Sequence, residues 1–179
     1  MNHTDIIRFW FSEIDKKAHF TKDPEFDELL AQRFGPLHTR ATRCELFEWR
    51  TSAEGRLAEI IVLDQFSRNL FRDSPLAFAS DAQALTLAQE AVAAGDDQKL
   101  PVEQRIFLYM PYMHSESLAI HDAGLPLFES TAQENTIKYE VMHRDIIKQF
   151  GRYPHRNECL GRKSSAAELE FLSKPGSSF

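Results

Sequence analysis

The chain has 179 residues, of which 42% are hydrophobic and 27% charged, the composition of one globular domain long enough to bury a core. Its net charge of −6 argues against a nucleic-acid partner, whose binding face is usually basic. No apolar run reaches the roughly 20 residues of a membrane-spanning helix, so no membrane partner is expected.

The N-terminal run MNHTDIIRFWF lacks the basic and then apolar pattern of a secretory signal. Cys44 and Cys159 do not form a metal-type pair, and a reduced, cytoplasmic setting is the expectation. Helical periodicity then runs through the chain. Thr4 is placed to cap a first helix carrying Ile6, Ile7, Trp10 and Phe11. Asp23-Pro24 reads as a cap followed by proline at the first helical position, with Phe26, Leu29, Leu30 and Phe34 on one face. Gly35-Pro36 is expected to stop that helix. Residues 37–49 are polar enough for the surface, with Leu46, Phe47 and Trp49 packing inward.

Ser52 opens a helix over residues 53–71 whose apolar side chains, from Leu57 to Phe71, occupy nearly every face. Such a helix belongs in the middle of a domain. Ser80-Asp81-Ala82-Gln83 reads as a capping box for a helix ending at Gly95. Pro101 opens the next, and Pro111 is expected to kink or stop it by removing a donor and crowding the carbonyl four residues back. Helices follow over residues 115–130 and 135–150, the latter capped by Gly151. Ser165-Ala166-Ala167-Glu168 is a second capping box, for a short last helix.

Four polar constellations stand out. Asp64 and Arg68 lie four residues apart on the central helix, as do Gln65 and Asn69. Ionised groups there cost several kcal/mol each unless paired. They read either as a structural ion pair or as the floor of a polar cleft. His114 and Glu116 follow Pro111 and can converge on one point for acid–base work or metal binding, or serve as a backbone partner and a helix cap. Glu140 and His143 share a helix face. A di-iron site would need a second such motif, so His143 reads as lining a cleft or as a core histidine. Residues 151–163 set Arg152, Arg156, Arg162 and Lys163 against Glu158 alone, a net charge of +3. Tyr153-Pro154 forces that segment to be extended, and His155, Arg156 and Asn157 follow directly. Guanidinium forks match carboxylates and phosphates; the same arginines would also suit a rigid connector that caps helix ends.

The segments IIRFWF, LDQFSRNLFR, FASDAQAL, LPVEQRIFLYMPYMHSE and HRDIIKQFGRYPHRNECLGR together resemble a bacterial family, domain of unknown function 924, over about residues 7–172. The resemblance implies an all-helical fold similar to the tetratricopeptide-like superfamily and brings no established activity. Two positions depart from the family pattern. Ser67 stands where proline is usual, and residues 164–168 keep a cap but lack the family's proline.

The expectation is therefore an all-α chain: a single domain of packed helical hairpins over residues 1–173, with about seven to nine helices, and a loose tail over 174–179. The expected function is an Arg/His-lined polar cleft that binds a small anionic ligand and is open to catalysis. His114, Glu116, His143 and His155 are the acid–base candidates. Asp64, Arg68, Asn69, Arg152, Arg156, Asn157 and Arg162 are the ligand-binding candidates. No cofactor or resident metal is expected. The alternative is a tetratricopeptide-like interaction module that binds a peptide or partner protein.

Overall fold

The computed structural model describes residues 1–177; Ser178 and Phe179, at the end of the expected tail, lie outside the described residues. Among the described residues the regular structure is entirely helical. Eight helices follow one another: α1 (His3–Arg8), α2 (Pro24–Thr42), α3, α4 (Asp81–Ala93), α5 (Val102–Met113), α6 (Leu118–Glu129), α7 (Glu134–Phe150) and α8 (Ala166–Leu172). The central helix α3 is compound, with α-helical Ala53–Ile61, a π-helical turn Val62–Phe66 and α-helical Ser67–Leu70. It packs against α1, α2, α4 and α5. Leu57, Ile60, Ile61, Val62, Leu63 and Phe66 are accordingly all fully buried.

Several helix ends differ from expectation, each for a local reason. Asn2 rather than Thr4 caps α1: its side chain accepts from Asp5 N at 3.1 Å, the Asp5 carboxylate accepts from Asn2 N at 2.8 Å, and the Thr4 hydroxyl donates to Asn2. Asp23 caps α2 as expected, accepting from the amides of Glu25 and Phe26. That helix then runs through Gly35 and Pro36 to Thr42. Proline's lost donor is outweighed because Leu37, His38 and Ala41 extend the buried stripe of Leu30 and Phe34. Beyond it Leu46 is buried, but Phe47 faces solvent.

Ser67, in place of the family's usual proline, lets α3 continue. Its hydroxyl donates to Leu63 O at 2.5 Å and meets His38 Nε2 at 2.7 Å. Ser80 stands at the cap position of α4, but its hydroxyl makes no cap bond, and the Gln83 side chain turns instead to Ala41 O. Pro111 neither stops nor ends α5, which continues to Met113 with every residue from Phe107 onward buried. Gly124 in α6 meets α5 so closely that an added Cβ would lie 2.9 Å from Tyr112 Cβ. Gly151, at φ +70°, closes α7, and the Ser165–Glu168 capping box opens α8 as expected. Within the expected tail, Ser177 donates to Leu172 O.

The apolar residues gather into two clusters. The large one surrounds α3, and the small one consists of Ile146, Ile147 and Tyr153 with flanking Leu118, Phe150 and Phe171. Buried polar side chains lie where the chain passes from one to the other, and the candidate site is built there.

Candidate functional site

The π-helical turn of α3 holds Asp64, whose side chain is only 1% exposed. Such turns insert one residue and re-aim the side chains around them. A carboxylate at that depth costs several kcal/mol unless it is neutralised, and three groups do so. His114 Nδ1 lies 2.7 Å from Oδ1, Arg68 Nη1 lies 3.1 Å from the same oxygen, and Gln65 Nε2 donates to Oδ2 at 2.6 Å. Burial pushes the Asp64 carboxyl up, but Arg68 and His114 outweigh it and hold the group well below the usual carboxylate range.

His114 follows the end of α5. Burial and then the Arg68 charge lower its pKa, against the opposing pull of Asp64, so the ring is neutral at neutral pH. An ionised carboxylate only accepts hydrogen bonds, so the ring proton sits on Nδ1 and the lone pair on Nε2. No described residue takes that lone pair, and His114 lines a cleft of about 410 Å³.

The other polar groups of the cleft continue from this pair as one connected chain. Arg68 grips Asp81, at the start of α4, through two bonds of 3.0 and 3.1 Å and also donates to Asp64 O at 2.8 Å. Arg156 Nη1 reaches the far oxygen of Asp81 at 3.3 Å. The Arg156 guanidinium lies 4.5 Å from the centres of both the Phe78 and Tyr153 rings, a doubly flanked cation–π arrangement. Its Nε is buried and meets no acceptor. Burial and Arg68 lower its pKa, and a guanidinium nevertheless stays charged at neutral pH.

Glu116, Arg162 and Asn157 shape the connector that brings Arg156 here. Arg162 binds Glu116 through two bonds of 2.6 and 2.9 Å and also contacts Tyr153 O and Asn157 Oδ1. Tyr153 N donates to Glu116 at 2.7 Å, and Asn157 Nδ2 donates to Ser164. Burial raises the Glu116 pKa, but Arg162 and the Tyr153 amide lower it further, and the carboxylate lines the cleft ionised.

The remaining sequence candidates stand apart. Arg152 pairs with Glu168 of α8 at 2.6 and 2.8 Å. Asn69 donates to Asp27, which also binds Arg72, and so ties the end of α3 to the start of α2. His143 hydrogen-bonds Tyr139 O through Nδ1 at 2.7 Å. His143 and His155 flank the Tyr153 ring at 5.7 and 5.5 Å, behind the cleft. Burial lowers the pKa of His143 to about 3 and that of His155 to about 4.

Residues that the sequence reading passed over complete the arrangement. Asp81 and Phe78 hold the two guanidinium groups, although the pattern around Asp81 in the sequence is that of a helix cap. Tyr153, read as a backbone stiffener, donates its hydroxyl to Met113 O at 2.5 Å and lies 3.1 Å from His121 Nε2. His121 Nδ1 meets Glu140 at 2.7 Å, with both side chains fully buried. Glu140 and His143, one helix turn apart, thus turn to different partners. Among the described residues no group of three or more His, Cys, Asp or Glu could hold a metal ion.

The fold and site define an all-helical protein with an Asp–His pair and a buried arginine at the floor of a cleft. The chain belongs to the family of bacterial proteins of unknown function designated DUF924, whose model matches residues 6–176. It is similar to the solved structure of the protein of unknown function ATU0120 from Agrobacterium tumefaciens. That likeness has 36% identity and a TM-score of 0.90, and covers 95% of this chain and 96% of the other. No curated protein matches the chain. Among the described residues no helix is long and apolar enough to cross a membrane.

Proposed function

We propose that the protein binds a small anionic ligand in the cleft between α4, the end of α5 and the 151–163 connector, and that His114 exchanges a proton with it. The observation that carries this reading is the division of labour on the His114 ring, with Nδ1 anchored on Asp64 at 2.7 Å and Nε2 left toward the cleft. A neutral imidazole oriented by a buried carboxylate is a competent general base. Of the arginines near the cleft, Arg68 and Arg162 are each gripped by a carboxylate through two bonds. Arg156 keeps donor capacity for an incoming anion. Asp64, Arg68 and Asp81 act as positioning residues, and Glu116 with Arg162 fixes the connector.

Nitrogen-15 spectra of the histidine rings test this directly. At pH 7 His114 is expected as the neutral Nδ1–H tautomer, with an Nε2 resonance that moves when acetate or phosphate is added. An Nε2-protonated ring would leave the cleft without its base and end the proposal.

A further inference from the structure

The rim of the cleft contains a second set of open donors. Among the described residues, the amides of Ala82 and Gln83, second and third in α4, meet no acceptor, because Ser80 does not cap them. The first turn of this 13-residue helix therefore presents free N–H groups and the positive end of its dipole. Asp81 and Ala82 line the cleft.

Beside them lies Arg156, only 6% exposed, with one long bond of 3.3 Å to Asp81 and no acceptor for its Nε. A buried guanidinium with unused donors is costly, and an anion close to it relieves that cost. Asp81 does not cancel the attraction, because both its oxygens are already occupied by Arg68 and Arg156. Phe78, Leu85, Pro111 and Leu160 supply apolar walls, and the Glu116 carboxylate that also lines the cleft is held by Arg162 through two bonds. Its volume of about 410 Å³ suits a small organic molecule rather than a bare ion.

Building on the cleft reading above, we propose that the ligand is an amphiphilic anion. Its carboxylate or phosphate-monoester head sits on the open amides of α4 and Arg156, and its apolar body lies against Phe78, Leu85, Pro111 and Leu160. His114 lines the same cleft.

Amide-detected titrations with benzoate, phenyl phosphate, inorganic phosphate and benzyl alcohol separate the two components. Benzoate or phenyl phosphate, whichever head the site prefers, should shift the Ala82 and Gln83 amides. Benzyl alcohol and inorganic phosphate should bind more weakly than that preferred probe by about tenfold or more, the scale of a charge-assisted bond and of a buried ring respectively. Ala82 is exposed, so Ala82→Glu leaves the fold intact, and a first-turn acid even favours the helix. It should weaken the preferred anion by about two- to fivefold, and Ala82→Lys should strengthen it by a similar factor. If benzyl alcohol binds in the cleft as well as benzoate and phenyl phosphate do, or if Ala82→Glu changes nothing, the amphiphilic-anion inference is overturned while the cleft reading stands. If none of the four probes perturbs Ala82, Gln83 or His114, both fall together.

Discussion

Asp64 bears more of the site than any other single residue, since His114, Arg68 and Gln65 all converge on its two oxygens. Asp64→Ala would leave the half-buried Arg68 without one of its two carboxylates and His114 without its anchor, and is expected to cost about 3–5 kcal/mol, the usual penalty for breaking a buried pair. Asp64→Asn keeps the shape and one acceptor and should cost distinctly less. Urea unfolding of the two variants compares them, and equal losses would mean that the carboxylate charge is not what the site depends on. The local half of this arrangement was legible in the sequence, because Asp64 and Arg68 stand four apart on a helix. The other half was not. His114 reaches Asp64 across 50 positions and Asp81 reaches Arg156 across 75, and no local spacing encodes such pairs. Arg162 and Asn157 were picked out for their chemistry, yet the same chemistry serves to hold the connector. Residue type alone could not separate the two roles.

At the scale of elements, burial decided the points on which local rules pointed elsewhere. Glycine and proline predict breaks near residues 35, 36 and 111, but α2 and α5 pass through all three positions because both sides of each bear core side chains. Gly124 makes the opposite case. In an exposed helix interior, Gly→Ala gains about 1 kcal/mol. Here the new methyl would stand 2.9 Å from Tyr112 Cβ, inside the contact between α5 and α6. Overpacking of that kind costs about 1–3 kcal/mol, so Gly124→Ala should lower the melting temperature rather than raise it. A raised melting temperature would show that α6 can move away from α5 without loss. The caps at Asp23, Gly151 and Ser165 form as the sequence predicts, because a short-range pattern contains the whole interaction. Ser80 makes no such bond. The amides there are left open at the cleft, and a feature that looked like routine helix chemistry belongs instead to the candidate site.

At the scale of the whole molecule, the buried histidines set how stability depends on pH. His19, His38, His114, His143 and His155 all have lowered pKa values, and in each case burial is the leading cause. The folded protein therefore keeps these rings neutral, whereas the unfolded chain takes up protons once the pH falls below about 6.5. Their contribution is complete above that value and is lost on acidification, down to about 4 for His155 and about 3 for His143. Glu140, raised by burial, works in the opposite direction above the ordinary carboxylate range, one group against five. Asp64, Glu116 and Glu168 are lowered and add their own loss only further down, as the pH drops through the carboxylate range. Each fully neutral histidine contributes up to about 1.4 kcal/mol per pH unit. His143 and His155 together then account for about 4 kcal/mol between pH 7 and pH 5, a large part of a typical domain's stability. The urea midpoint should fall steadily over that interval, well before the lowered carboxylates of Asp64, Glu116 and Glu168 begin to titrate. His143→Gln should flatten the slope by about one proton while lowering stability at pH 7. A midpoint constant from pH 7 to pH 5 would mean that the folded state takes up protons as readily as the unfolded chain, and that burial does not hold these rings neutral.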